Sequence, residues 1–267
     1  MKKLMIALTL VSALWPAVAQ KRKHEPPPPP PEPVAASSPA DDVKRDPNKI
    51  AVLSLLGDAV QLLNLTPQRG DTVQPGEWMA SPAGGVDNAA LQAIDQALHK
   101  QGRELKLYTS TTRSLYGDPS TLFAGGKLNL PGQLGEAVRS SGAGQLLLIT
   151  RSRQEAGLAA ALPARVLTSL EGPGFVLDQR PTAQIGVDGQ GGLPVLAPFV
   201  SVRVALIDLG DLRLKRERSV AVAQRLTVGR DVAANPWAAL STEQRVKALE
   251  ALIEAELPAA ALSLLSQ

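Results

Sequence analysis

Residues 49–58 read KIAVLSLLGD. Within them, 50–56 (IAVLSLL) run almost without a polar break. A short run this apolar fits a strand buried on both faces rather than a half-exposed strand, which would alternate. Gly57-Asp58 follows and reads as a two-residue hairpin turn, with 59–65 as the returning strand. Further on, Val86, Ala89, Ala90, Ala93, Ile94, Ala97 and Leu98 recur at helical spacing over 86–101. Asp87 or Asn88 is placed to cap that helix, and Gly102 to end it. Residues 105–108 read as a short strand. Residues 131–141 read as a second helix, turned inward through Leu134, Ala137 and Val138. Residues 145–150 (QLLLIT) are a second continuous apolar strand. Strand, strand, helix, strand, helix, strand predicts the α/β class, with βαβ crossovers over a mixed sheet.

The remainder changes character. Gly- and Pro-rich stretches at 66–85 and 181–198 read as loops, and strand pieces at 165–170 and 174–178 are broken at Gly172-Pro173-Gly174. Residues 199–207 and 212–228 predict a C-terminal β-hairpin turned by Asp208-Leu209-Gly210-Asp211. Ser241 and Gln244 match a capping box. The terminal helix it opens has a stripe of Val246, Leu249, Leu252, Ile253 and Leu257, and Pro258 is expected to kink or end it. Residues 49–267 are thus expected to form a single α/β domain.

Ahead of that domain, residues 1–19 have the parts of a secretory signal: Lys2 and Lys3, an apolar run over 4–14, and Ala17-Val18-Ala19, which predicts cleavage between Ala19 and Gln20. The run is too short for a comfortable bilayer span, so no permanent membrane anchor is expected. Lys21, Arg22 and Lys23 oppose translocation just past the cut. Pro26 to Pro31 then fix a polyproline II rod, inside a polar, disordered tether over 20–48. The reading for 1–48 is therefore export to the periplasm or beyond, in a Gram-negative bacterium.

Composition narrows the chemistry. With no cysteine there is no thiol nucleophile, disulfide or thiolate-held metal. From residue 50 onward 20 basic residues meet 20 acidic ones, so the domain lacks the basic footprint of a nucleic-acid binder despite the net charge of +3. Gly125-Gly126-Lys127 is followed by Leu128 and reads as a turn, not a phosphate loop. Past the tether the only histidine is His99, on the polar side of its helix. No cofactor, metal site or catalytic group is assigned. The carboxylates left for a hydrolase are Asp58, Asp208 and Asp211, each near a strand end. The candidate interaction surface is Trp78 and Phe199 with their loops, together with Arg213, Lys215, Arg216 and Arg218. Alternation puts the first two of those basic residues on one face of their strand and the last two on the other. A charged edge strand that discourages aggregation accounts for them without a ligand.

KIAVLSLLGD, ALQAIDQAL, LGEAVRSSGAGQLLLIT and VSVRVALIDLGDLRLKRERSV, in that order over residues 49–225, resemble the periplasmic α/β domain of several envelope proteins. These are the curli-secretion channel family, the amino-terminal domain of the Tol-system propeller protein, and the lipoprotein activators of peptidoglycan synthases. The chain is also similar to uncharacterised secreted proteins of Gram-negative bacteria. It lacks the lipid-bearing cysteine of the lipoproteins and any propeller repeat. The resemblance implies a non-catalytic domain that binds other envelope proteins. The expected function is therefore an envelope interaction module of unidentified partner. A carboxylate-dependent hydrolase and a small-ligand-binding protein are the alternatives.

Overall fold

The computed structural model describes residues 44–66, 77–81, 84–153, 170–179, 194–226 and 235–266. The signal segment with its Ala19–Gln20 cut, the proline rod, most of the strand piece at 165–170 and much of the Gly/Pro loops lie outside them. The described chain is α/β, as its pattern predicts. Its strands are β1 (Asp46–Leu55), β2 (Ala59–Leu65), β3 (Glu77–Ala80), β4 (Glu104–Thr109), β5 (Phe123–Ala124), β6 (Lys127–Leu128), β7 (Ala143–Arg151), β8 (Gly172–Asp178), β9 (Val195–Asp208) and β10 (Leu214–Ala223). Its helices are α1 (Gly85–His99), α2 (Gly132–Arg139), α3 (Pro236–Ala239) and α4 (Thr242–Leu265), with two 3-10 turns at Arg113–Tyr116 and Pro119–Leu122.

The eight-stranded sheet hangs on β9. One side of β9 carries β10, antiparallel, from Leu214↔Ile207 to Ala223↔Phe199. Its other side carries two strands end to end: β8 against residues 195–201 and β7 against 202–208. The next rank repeats that division, for β1 runs parallel to β7 and β2 parallel to β8. Beyond them β4 lies parallel to β1, and β3 antiparallel to β2. The sheet is therefore five ranks wide, and its two inner ranks are long lines of strand interrupted midway.

This corrects the hairpin expected at Gly57-Asp58. Gly57 does take a left-handed conformation (φ 80°), but the chain bends there and runs on in the same direction. Ile50, Val52, Leu56 and Val60 stay on one face through the bend, while Leu53, Leu55, Leu63 and Leu65 stay on the other. Running straight on gives each half a parallel partner that buries it on both faces, which a two-strand ribbon could not supply.

The first face is covered by α1 and α4. Ala89, Ala90 and Ala93 let α1 lie close to the strands, and Leu249, Ile253, Leu257 and Leu264 line the inner side of α4. The capping box at Ser241 and Gln244 is present. Pro258 does not end α4, which continues to Leu265. The opposite face of the β1–β7 half is covered by α2, the 3-10 turns and the β5–β6 hairpin, through Leu115, Leu122, Leu128 and Val138. Gly125 and Gly126, both at positive φ, turn that small hairpin, in keeping with their reading as turn residues. Gly172-Pro173-Gly174 forms the first half of β8 rather than a break. A side chain at Gly174 would come within 2.3 Å of the Gln61 carbonyl and 2.7 Å of the Phe199 ring, so only glycine lets β2 and Phe199 close on β8.

Candidate interaction surface

The interruption in the two inner ranks leaves backbone polar groups without ladder partners, and two buried ionic side chains answer them. Asp87 sits in the first turn of α1, yet it does not cap that helix, whose N-cap Gly84 makes no side-chain bond. Its carboxylate turns to the sheet and accepts from Ser54 Oγ (2.5 Å), the Leu56 amide (2.9 Å) and the Gly57 amide (3.0 Å). Arg151, the last residue of β7, supplies the opposite need: its Nε donates to the Leu56 carbonyl (2.7 Å) and its Nη2 to the Ala59 carbonyl (3.2 Å). Amides on one residue and carbonyls on the other together close the bend, as buried polar backbone requires. A Cβ on Gly57 would meet the Tyr116 ring at 2.8 Å, so the bend also needs glycine for space.

Both ions are costly to bury, and their acidities move accordingly. Loss of solvent raises the Asp87 carboxyl above its usual range, opposed by the hydrogen bonds from Ser54, Leu56 and Gly57 and by the charge of Arg151. Loss of solvent lowers Arg151, opposed by Glu171, Asp87 and Asp58. Asp87 accepts three hydrogen bonds, all from the bend and the strand end leading into it, so its task in this arrangement is to hold the bend.

That brace has an outer consequence. Trp78 on β3 pairs in register with Gln61 and faces away from α1 and α4. Its ring lies 4.2 Å from the Arg151 guanidinium carbon, with Tyr116 at 5.9 Å from the same atom. Stacking on a cation that is already tied to the backbone fixes the indole. Even so, 44% of Trp78 stays open to solvent. Beside this group, on the same face, the break opens into a polar cleft of about 610 Å3, lined by Arg151, Arg153, Arg203, Glu171, Ser120 and Ser152. Arg153 pairs with Glu171 (2.6 Å) and Arg203 with Glu217 (2.9 Å).

Of the residues expected on an interaction surface, Trp78 is exposed and Phe199 is not. Phe199 is fully buried among Leu63, Val176 and Ala221, because β9 is an inner strand with β8 on one side and β10 on the other. The basic residues near β10 do not gather into a site. Lys215 pairs with Asp208 (3.4 Å) and Asp211 (3.3 Å) of the hairpin turn, and the Nη1 of Arg216 donates to the Leu264 carbonyl at the end of α4 (2.9 Å). The Arg213 carbonyl closes the turn onto the Asp208 amide, and Arg218 is exposed. β10 has a sheet partner on one side only among the described residues, as expected of a charged edge strand. A register shift between Leu214 and Arg216 breaks the simple alternation predicted for these charges.

The three carboxylates considered for hydrolysis do not share a cleft. Asp208 and Asp211 cap the turn amides of Gly210 and Arg213. Asp208 lies level with Gln145, which is level with Ile50, whereas Asp58 is eight residues farther along that rank, roughly 25 Å away. His99 is exposed at the end of α1.

Sequence reasoning missed Asp87, Arg151 and Tyr116 as a group. Part of the signal was there. Asp87 falls on the same helical face as Ala90, Leu91, Ile94 and Leu98, where a carboxylate needs an inward partner. Arg151 is the one charged residue of β7 and stands at its end.

No family model matches the chain, and no curated protein matches it. Among solved structures it is similar to the PelC dodecamer from Paraburkholderia phytofirmans (12% identity, 82% of this chain and 87% of that chain, TM-score 0.30). It is similar also to protein XCC0632 of family DUF330 from Xanthomonas campestris (12%, 80% and 86%, TM-score 0.32). A third is lipoprotein GNA1162 from Neisseria meningitidis (11%, 71% and 94%, TM-score 0.28). No helix among the described residues is long and apolar enough to cross a membrane.

Proposed function

We propose that the chain is exported, is cut between Ala19 and Gln20, and works in the cell envelope by binding another protein rather than by transforming a substrate. The signal-like segment and the resemblance to periplasmic envelope domains support the location. The observation that carries the mode of action is Trp78, a large indole left open at the edge of the sheet and held still by Arg151. Immobilised aromatic side chains make effective anchors because little freedom remains to be lost on binding. Among the described residues β3 has a sheet partner on one side only, and an edge strand of this kind suits the addition of a partner's strand.

The test is capture of envelope proteins on the purified mature chain, compared with Trp78→Ala and with Leu214→Ser at the start of the opposite edge strand. Loss of the captured protein with Trp78→Ala and its retention with Leu214→Ser, both variants melting near the parent, is the expected result. Equal capture by all three defeats the reading. The export step is checked separately by the mass of the periplasmic form, which should begin at Gln20.

A further inference from the structure

The face of the sheet that carries α1 and α4 holds an apolar crevice, away from Trp78. Its floor is Val60, Met79 and Phe175 of the β3–β2–β8 half, and its walls include Trp237, Leu249 and Ile253. Trp237 meets Phe175 edge-on, with ring centroids 5.4 Å apart, so the wall packs directly on the floor. The volume is about 180 Å3. An engineered cavity of about 150 Å3 with a similar lining stays dry and accepts benzene, so this crevice has room for an apolar group of that order. Two charged groups face it, Arg245 and Glu250, both from α4. Arg245 stands at the mouth, where its guanidinium carbon lies 4.1 Å over the Trp237 ring and its Nη2 donates to Thr242 Oγ1 at 3.2 Å. Its Nε donates to the Ser241 carbonyl (3.4 Å); it has no carboxylate partner among the described ion pairs, and its Nη1 donors are left for a ligand. Glu250 lies more than a turn further along the helix.

From the apolar floor and a stacked arginine lining the same crevice we infer that it binds a short-chain fatty acid of about six carbons, with the alkyl chain inside and the carboxylate on Arg245. The alkyl chain gains by leaving water, and the guanidinium selects an acid over an alcohol of equal length. The inference does not rest on the partner-binding role of Trp78, which is on the other face.

Calorimetric titration of the full chain with hexanoate, hexanol and hexyltrimethylammonium tests it. Hexanoate should bind saturably at one site, and Arg245→Gln should weaken it about tenfold while leaving hexanol unchanged. Val246→Phe, which fills the crevice, should abolish binding of both. Thr242→Trp blocks the mouth from an exposed position and serves if Val246→Phe fails to fold. Hexanoate binding unchanged by Val246→Phe or Thr242→Trp overturns the site. Hexanol or the cationic probe binding as tightly as hexanoate overturns the acid. Absence of saturable heat below about 1 mM overturns both. Uptake on phosphatidylglycerol vesicles with no affinity for hexanoate would put a membrane surface in the ligand's place.

Discussion

The two halves of the sheet are built on the same lines of chain and finished differently. The β4–β1–β7 half is roofed on both sides, by α1 and α4 above and by α2, the 3-10 turns and the β5–β6 hairpin below, and its inner strands are buried from Ile50 and from Leu146 onward. The β3–β2–β8 half has a smaller cluster below, centred on Phe199, and a gap in its helical roof where the apolar crevice opens. The exposed indole, the polar cleft and the crevice all lie in that half or at its junction with the other. The first half is a completed core, and the second is where side chains remain available to a partner. What separates them is the bend at Gly57 and the end of β7, held by Asp87 and Arg151.

If that bend is what joins the halves, Arg151→Ala should have the largest effect. It strands the Leu56 and Ala59 carbonyls and leaves the Asp87 charge uncompensated, for a loss of about 3–5 kcal/mol in urea unfolding. A loss below about 1 kcal/mol would show that the halves are joined by β9 alone. Gly174→Ala tests the less complete half directly. The added methyl collides with the Gln61 carbonyl and the Phe199 ring, and should cost about 2–3 kcal/mol. Gly102→Ala, at the end of α1, meets nothing within 4 Å and bears only the strain of its positive φ, about 1 kcal/mol.

The pH dependence sharpens the comparison further. Asp87 is raised in the folded state by burial, so the folded protein holds its proton more tightly than the unfolded chain does. This contribution to stability is present below the unfolded value of about 3.9 and is lost as pH rises through the raised folded value. Across that window the urea midpoint of the parent should fall relative to that of Asp87→Asn as pH rises. A parent that gains on the variant with rising pH would mean that the hydrogen bonds, not burial, govern this carboxyl. The smallest effect is expected at the opposite edge. Lys215 is fully exposed between Asp208 and Asp211, and Lys215→Ala should leave the urea midpoint where it is.

Legibility followed the same division. In the completed half, the continuous apolar runs at 50–56 and 145–150 announced inner strands, and the alanine-rich spacing of α1 announced a helix lying close to them. Burial on both faces favours apolar residues at nearly every position, Ser54 and Thr150 being the polar exceptions, and the sequence displays it. In the other half, Gly172-Pro173-Gly174 looked like a break and proved to be strand, because contact with Gln61 and Phe199 outweighs local preference. The hairpin expected at Gly57 failed for a related reason. Positive φ is a local property, but which way the chain leaves the bend depends on whether β7 and β8 are there to pair with it. Phe199 was misplaced because the strand on its far side is contributed by residues twenty or more positions later.

The sequence alone determined the class of fold, the capped terminal helix, the charged hairpin and the absence of thiol chemistry, since each rests on residue type and short-range spacing. Tertiary structure decided how the strands line up in ranks, which of two candidate aromatics faces outward, and that Asp87 and Arg151 serve one bend from 64 residues apart. Those outcomes depend on long-range pairing of backbone groups, and an unmet amide or carbonyl appears only once the chain has folded around it.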